Sequence, residues 1–356
     1  MCNLCNVCII CTGGVKNNAK QGVKLMSKPI LASCPRFWAQ RGYQLHDRLI
    51  TYMSLNQNST CDAKCAGCFR YPERKCGLTS LLSMPDYERL LGEFARLGGL
   101  AIEISGEGEP LLSPLTLPII RLASQLGIWT TLITNCHKLT LDLVKELRSL
   151  NVALVMSLHS LSREVYEKDS GVVGSYDVKL QAINFVSQVF SGTEWVENGR
   201  TIKHASVHWT LQADNLEEVE NVRRFCDERG LHFSIAPLAH TGHAATRPDL
   251  WLPESLTRLE AVNALGDESI IFYDEPDGRS VCGTCKYGLN IGADGNLLLD
   301  AHGGYEVQIA NIRNVDFEEA IRLQHCFSKK TFDTLSCFCP VRDARWQEFL
   351  ARKEYL

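Results

Sequence analysis

The chain has 356 residues, 45% of them hydrophobic, and a formal net charge of -4, so it can form one large domain and a smaller one. Its mixed charges provide no basic surface of the kind that binds nucleic acid, and no apolar run approaches the length of a membrane span. Sixteen cysteines without a visible secretory signal indicate metal binding in a reducing cytoplasm rather than a disulfide framework.

Residues 1–33 are predicted to form a disordered, cysteine-containing tail. Cysteines stand at every third position near its start, at Cys2, Cys5, Cys8 and Cys11. The final spacing and the proline of a ferredoxin cluster run are missing. A tail, or a reading frame whose working start is Met26, is therefore favoured over an additional cluster.

Three closely spaced cysteines follow the first predicted strand. Cys61, Cys65 and Cys68 have the spacing CxxxCxxC. A [4Fe-4S] cluster is normally held by four thiolates, so three ligands would leave one iron open to a molecule that reacts. A zinc site or three unrelated thiols is the alternative, although zinc sites usually use two cysteine pairs.

From residue 49 onward, predicted strands alternate with predicted helices. This alternation indicates parallel strands joined by right-handed crossovers. An open doubly wound sheet is the alternative, but the glycine-rich dinucleotide turn after its first strand is missing. The strands are predicted at 49–55, 100–104, 128–133, 152–158, 205–211 and 232–235. The helices are predicted from Ser83 to Leu97 and at 115–126, 141–150, 176–190 and 216–229.

The loops after these strands carry the residues that suggest chemistry, because reactive groups in parallel barrels lie at the carboxyl ends of the strands. The second strand ends in the run SGEGEP, residues 105–110, whose glycines allow a backbone to approach a ligand closely. The third strand ends in Thr134, Asn135 and Cys136, and the fourth leads through Ser157 to His159.

The CxxxCxxC run and the GxGEP loop one βα unit later resemble the radical SAM superfamily, over roughly residues 49–240. The resemblance implies an α/β fold with a partial (β/α)6 TIM-type barrel. It also implies that the open iron of a [4Fe-4S] cluster binds S-adenosylmethionine (SAM), whose reductive cleavage releases a 5′-deoxyadenosyl radical. The implied cofactor-binding residues are Gly106, Gly108, Glu109, Thr134 and Ser157.

Two residues at the same end of the barrel are candidate catalytic residues. Cys136 stands where the family usually has glycine, which puts over the barrel mouth a thiol that could give a hydrogen atom to a substrate radical. The alternative is a small buried hydrophobe. His159, like His208, His240 and His243 on the same face, could accept a proton when a substrate radical is oxidised.

Beyond residue 265 the βα pattern gives way to a turn-rich region with two apolar strands around an Asp-Gly turn and a helix at 317–323. This region resembles the SPASM and twitch extensions of radical SAM enzymes, a small cysteine-rich extension that binds auxiliary iron-sulfur clusters. The resemblance implies one auxiliary [4Fe-4S] cluster held by Cys282, Cys285, Cys337 and Cys339. Cys326 is the reserve ligand, Asp300 stays open as a non-cysteine ligand, and a zinc knot of the same thiols is the alternative.

The predicted organisation is a tail at 1–33, a radical SAM partial barrel at 34–265 and an auxiliary iron-sulfur domain at 266–356. The leading hypothesis is a cytoplasmic oxidoreductase that abstracts hydrogen from a small natural-product precursor, such as an aminocyclitol or sugar, and takes electrons from flavodoxin or ferredoxin. Maturation or epimerisation of a ribosomally made peptide is the alternative, although the residues before the first strand are too few for a leader-binding domain. A non-catalytic iron-sulfur electron carrier or scaffold is a third hypothesis, but it would have no need of a SAM loop.

Overall fold

The computed structural model describes residues 30–31, 52–70, 81–197, 200–252, 272–274, 280–282, 288–299, 308–335, 348–349 and 352. The first strands of this part are β1 (Ile30–Leu31), β2 (Tyr52–Asn56), β3 (Ala101–Ser105), β4 (Trp129–Thr134), β5 (Ala153–Ser157), β6 (Trp195–Glu197) and β7 (Arg200–Lys203). The later strands are β8 (Ala205–Leu211), β9 (His232–Pro237), β10 (Phe272–Asp274), β11 (Ser280–Cys282), β12 (Gly288–Ile291), β13 (Asn296–Leu298) and β14 (Gln308–Asn311).

The α-helices of the described residues lie between these strands and after them. They are α1 (Met84–Arg96), α2 (Thr116–Gln125), α3 (Leu141–Ser149), α4 (Arg163–Ser170), α5 (Ser175–Phe190), α6 (Val219–Asp227), α7 (Gly242–Ala245) and α8 (Phe317–Leu335). None of these helices combines the length and the apolar character that a membrane span requires.

One sheet of nine strands dominates the described residues, in the order β14-β13-β12-β2-β3-β4-β5-β8-β9. All neighbours from β12 to β9 in this order are parallel. Six of these strands, β2, β3, β4, β5, β8 and β9, follow one another in the sheet in the same order as in the chain, and helices lie in the connections between them. This confirms the predicted α/β fold of partial (β/α)6 type, and within the described residues the sheet does not close into a full barrel.

The helix α1 shows why the sequence pattern was informative. The backbone N–H and the hydroxyl of Ser83 donate to the Asp86 carboxylate, both at 2.8 Å, as expected where a polar residue begins a helix. The buried residues of α1 recur at helical spacing, so that one face packs against the sheet. They are Tyr87, Leu90, Leu91 and Phe94.

A hairpin of β6 and β7, which was not predicted, precedes β8. Its Trp195 packs on His204 with ring centroids 4.8 Å apart, and His204 stacks on Trp129 at 5.3 Å. Burial lowers the pKa of His204 to about 4, so the imidazole packs as a neutral ring. The strand β7 also pairs in parallel with β1, which ties the segment before the barrel to the amino-terminal ends of the strands. The rest of the predicted tail lies outside the described residues.

The predicted C-terminal hairpin is present as β12 and β13, and it continues the main sheet. The strand β12 pairs in parallel with β2, from Gly288 opposite Tyr52 to Ile291 opposite Leu55. This pairing crosses the predicted boundary at residues 265 and 266. The helix predicted at 317–323 is longer than expected and ends at Leu335.

The turn of this hairpin gives a testable pair of substitutions. Gly295 has φ of 82°, and a Cβ there would lie 3.0 Å from Leu82. We expect Gly295→Ala to lower the free energy of unfolding by about 1–2 kcal/mol, the cost of a left-handed L-residue. Gly92→Ala is the control, because Gly92 lies inside α1 and an added Cβ would have no neighbouring atom within 4 Å. It should raise stability by up to about 1 kcal/mol. Urea unfolding followed by circular dichroism measures both, and equal effects of the two substitutions would show that the left-handed turn imposes no requirement for glycine.

Candidate active site

The three cysteines lie on one loop, residues 57–70, which follows β2 and which we call the cysteine loop. Cys61, Cys65 and Cys68 are half-buried and form no disulfide. The loop therefore presents three cysteine sulfurs close to the carboxyl ends of the parallel strands. This is the edge at which the fold was expected to place its chemistry.

The loop is fixed on one side by the ends of two helices. The backbone N–H groups of Lys64 and Ala66 donate to the last two carbonyls of α4, at 2.8 and 2.9 Å. On α7, the N–H of Ala244 donates to the Cys68 carbonyl at 3.1 Å, and Nδ1 of His243 lies 3.2 Å from the Cys65 carbonyl. Segments that follow β5 and β9 thus hold the two later cysteines.

The loop after β3 fixes the start of the cysteine loop. The N–H of Glu109 donates to the Thr60 carbonyl at 2.8 Å, and the amide of Asn58 donates to the Glu109 carbonyl at 3.0 Å. Between them, a Cβ added to Gly108 would lie 2.1 Å from the Thr60 carbonyl oxygen. The glycine is therefore required for contact between the two loops, which is a structural reason beyond the expected approach of a cofactor.

An ion pair joins the same two loops. Arg70 Nη2 lies 2.6 Å from Glu107 Oε2, and the side chains are 15% and 8% exposed. The N–H of Arg70 also lies 3.4 Å from Cys68 Sγ. Neither Arg70 nor Glu107 was assigned a role from the sequence. In the sequence, only their positions could have indicated a role. Arg70 is two residues after the third cysteine, and Glu107 lies between the glycines of GxGEP.

Asn135, the residue after β4, connects the cysteine loop with the buried Glu109. The N–H of Asn135 donates to Glu109 Oε2 at 2.7 Å. Its side-chain amide donates to Asp62 at 2.6 Å and lies 3.9 Å from Cys61 Sγ. The predicted site residues Glu109 and Thr134 also bond to each other at 2.7 Å, and they are 2% and 1% exposed. Their side chains thus shape the edge of the sheet from within.

The electrostatic environment of Cys65 fits that of a metal ligand. Burial raises the pKa of Cys65 well above its usual value, and so do the charges of Asp169 and of the Cys68 and Cys61 thiolates. Thiolates close enough to repel one another need a cationic partner to stay ionised. Three such ligands on one loop suit a [4Fe-4S] cluster with one iron left for another molecule.

His159 lies next to this loop and forms a pair with Asp169. Its Nδ1 is 2.7 Å from Asp169 Oδ2, and the two side chains are 15% and 12% exposed. Possible ligand atoms of Cys65, His159 and Asp169 all lie within 4.8 Å of one another. Two ligands of one tetrahedral zinc ion would stand about 3.3 Å apart, so the 2.7 Å contact is a hydrogen bond rather than half of a zinc site.

The other histidines of the predicted set have local partners. His208 Nδ1 lies 2.9 Å from Ser234 Oγ, and His240 stacks on Trp251 with centroids 4.4 Å apart. His243 contacts the cysteine loop, as described. The contact of His159 with a carboxylate makes it the strongest candidate base of this set.

Cys136 lies below the open edge rather than over it. Its backbone is left-handed, with φ of 69°, and its side chain is fully buried among core residues. The thiol lies 3.6 Å from the Thr134 carbonyl, and burial raises its pKa to about 11. This environment is that of a small core residue, which was the alternative interpretation.

Lys179 is a buried cation at this edge that was not predicted from the sequence. It is 1% exposed, and its ammonium donates to the carbonyls of Asn135 and, at 2.6 Å, Ser157. The sequence could have indicated that Lys179 is buried, because it falls on the apolar face of α5 together with Ile183 and Val186. The predicted cofactor residue Ser157 is half-buried at the end of β5.

The predicted auxiliary site lies mostly outside the described residues. Cys285, Cys337, Cys339 and Asp300 fall there, and Cys282 is described as the last backbone position of β11. Cys326 lies on α8 and is exposed.

Comparison with known proteins agrees with the geometry. Residues 56–228 match the radical SAM superfamily. The chain is 27% identical over 136 residues to the PqqA peptide cyclase of Rhodopseudomonas palustris. The matched region covers 38% of this chain and 36% of that protein. It is 25% identical to the GTP 3′,8-cyclase of Saccharophagus degradans over 74% of this chain and 83% of that enzyme. The first of these matches thus spans little more than a third of its relative.

Solved structures show the same fold at low sequence identity. The structure of SuiB from Streptococcus suis bound to S-adenosylmethionine superimposes on this chain with a TM-score of 0.59 and 18% identity. The superposition covers 79% of this chain and 68% of the SuiB chain. Native anSMEcpe with bound AdoMet covers 79% of this chain and 83% of its own, with a TM-score of 0.55 and 13% identity. These similarities support the fold of the site.

Gly108 provides the sharpest test of how the site is assembled. We expect Gly108→Ala to separate the cysteine loop from the loop after β3, because its Cβ would overlap the Thr60 carbonyl. The expected destabilisation is about 1–3 kcal/mol, with loss of iron after anaerobic reconstitution. Gly106→Ala in the same loop is the control, since its Cβ meets its nearest atom at 3.0 Å. Iron analysis and thermal unfolding measure both variants. Full iron content in Gly108→Ala would show that close contact of the two loops is not required.

Proposed function

Because residues 56–228 form a radical SAM domain, we propose that this protein is an enzyme that cleaves SAM and abstracts hydrogen from an unactivated C–H bond. One observation carries this proposal: three half-buried cysteine thiols, none of them in a disulfide, lie on one loop that the segments after β3, β4, β5 and β9 hold in place. A cluster bound there would supply the electron that cleaves SAM into methionine and the 5′-deoxyadenosyl radical.

The residues of the site divide into ligands and positioning residues. Cys61, Cys65 and Cys68 would hold the cluster, with one iron left for SAM. Gly106 and Gly108 would offer backbone to the cofactor. Ser157, half-buried at the end of β5, would contact its ribose or carboxylate.

Glu109 and Thr134 would contribute by fixing the loop that contacts SAM. Both side chains are buried, and Glu109 accepts hydrogen bonds from Thr134 and from the N–H of Asn135. Burial raises the pKa of Glu109, and these hydrogen bonds offset the rise only in part. Glu109 therefore serves as an acceptor that joins the loop after β3 to the end of β4 rather than as a group that the cofactor reaches.

Oxidation is the outcome that we propose for the substrate. The substrate would lose a hydrogen atom to the 5′-deoxyadenosyl radical, then a proton to His159 and an electron to an auxiliary [4Fe-4S] cluster. His159 suits this role because Asp169 holds its Nδ1 at 2.7 Å and so orients the other ring nitrogen. The auxiliary ligands would be Cys282, Cys285, Cys337 and Cys339, in a SPASM or twitch-like extension.

The substrate is either a small natural-product precursor, such as an aminocyclitol or sugar, or a short ribosomally made peptide. Two proteins similar to this chain support a peptide substrate. One is a PqqA peptide cyclase, and the other, SuiB, has been seen bound to a precursor peptide. A cytoplasmic flavodoxin or ferredoxin would supply electrons. Anaerobic incubation with cell extract, split into peptide and small-molecule fractions, distinguishes the two substrates by mass spectrometry.

The first test concerns the cluster. Reconstituted wild-type protein should hold about eight irons, as two [4Fe-4S] clusters, and should form 5′-deoxyadenosine from SAM and dithionite. Replacing Cys61, Cys65 and Cys68 together by alanine should leave about four irons and abolish 5′-deoxyadenosine. Cys326→Ala is the control and should keep both. Wild-type iron content in the triple variant would show that the active cluster lies elsewhere.

The second test separates oxidation from epimerisation. Cys136→Ala should still convert substrate into a product that lacks two hydrogens, because the thiol is buried and far from ionisation. Cys226→Ala, another buried cysteine, is the matched control. Mass spectrometry in deuterated water checks the outcome. Deuterium that enters the wild-type product but not the product of Cys136→Ala would instead identify Cys136 as a hydrogen donor.

A further inference from the structure

The buried ammonium of Lys179 is a charged group at this edge to which the proposed function assigns no role. Burying a charged lysine is unfavourable unless other groups compensate for lost water. Here the carbonyls of Asn135 and Ser157 accept hydrogen bonds from it, and the ring of Tyr166 lies 5.8 Å away. The two carbonyls belong to neighbouring strand ends, so the ammonium bridges β4 and β5.

The position of Lys179 relates it to the cysteine loop through Asn135. Lys179 donates to the Asn135 carbonyl, and the side-chain amide of the same residue lies 3.9 Å from Cys61 Sγ. One hydrogen-bonded residue therefore connects Lys179 with a predicted cluster ligand.

The carboxylate of Glu109 lies on the opposite side of the same residue. It accepts from the N–H of Asn135, whereas Lys179 donates to the carbonyl of Asn135. Opposite charges thus hold the backbone of one residue from both sides. This arrangement fixes the direction in which the Asn135 side chain meets Cys61.

We propose that Lys179 is a positioning residue that raises the reduction potential of the cluster held by Cys61, Cys65 and Cys68. This inference rests on the proposed function. A fixed positive charge in a poorly solvated site stabilises the reduced cluster, which carries one more negative charge than the oxidised cluster. A hydrogen bond to a ligand sulfur acts in the same direction.

The test is a redox titration followed by electron paramagnetic resonance, on the signal that changes when SAM is added. Lys179→Gln keeps a donor for the carbonyls but removes the charge. At a fixed potential, this variant should lower the ratio of reduced to oxidised cluster about tenfold, which corresponds to a reduction potential lower by about 59 mV for a one-electron couple. Lys179→Arg should keep the wild-type potential. Lys179→Met replaces the glutamine variant if that variant holds too little iron.

Lys203→Gln is the matched control, because Lys203 donates to the Leu231 carbonyl at 3.2 Å near the other end of the strands. It should leave the potential unchanged. An unchanged potential in an uncharged Lys179 variant with full iron would overturn the inference, and so would equal shifts in the arginine and glutamine variants. If the wild-type protein shows no SAM-responsive cluster, the proposed function itself fails.

Discussion

Backbone hydrogen bonds between the cysteine loop and its neighbours are the constraint on which the site depends. The loop has no regular secondary structure, so its N–H and carbonyl groups must find partners elsewhere. They find them in segments after β3, β5 and β9, at Thr60, Lys64, Ala66 and Cys68. The position of each thiol is therefore determined by the parallel sheet, whose register places these strand ends together.

Buried charge is the second element of the site, and it is balanced. Glu109 and Lys179 are 2% and 1% exposed, and both bond to the backbone of Asn135. A single buried charge would be destabilising, whereas here two groups of opposite sign each form a hydrogen bond with the same backbone residue. Glu109 lies in the loop after β3, and Lys179 lies on α5, seventy residues later in the chain. Their bonds to Asn135, together with the bond from Lys179 to Ser157, hold the ends of β3, β4 and β5 in a fixed relation.

Periodicity predicted the barrel well, because buried parallel strands and amphipathic helices leave clear patterns in the chain. Such patterns say little about which side chains meet. The pairing of His159 with Asp169 depends on how α4 is placed, and the hairpin of β6 and β7 has strands of only three and four residues. Lys179 was missed for another reason: a lysine at an apolar position of a helix is usually assumed to extend to water. The sequence left two interpretations of Cys136 open, a thiol over the barrel mouth and a small core residue, because it gives the end of the strand but not the left-handed conformation of Cys136.

The parallel pairing of β12 with β2 has a consequence for how the protein folds. The strand that leads to the cysteine loop has β3 on one side and, on the other, a strand that is translated more than two hundred residues later. Until then, β2 is an open edge able to pair with another chain. A nascent or truncated chain that ends before Gly288 would expose that edge, so aggregation during synthesis is the failure that this topology invites.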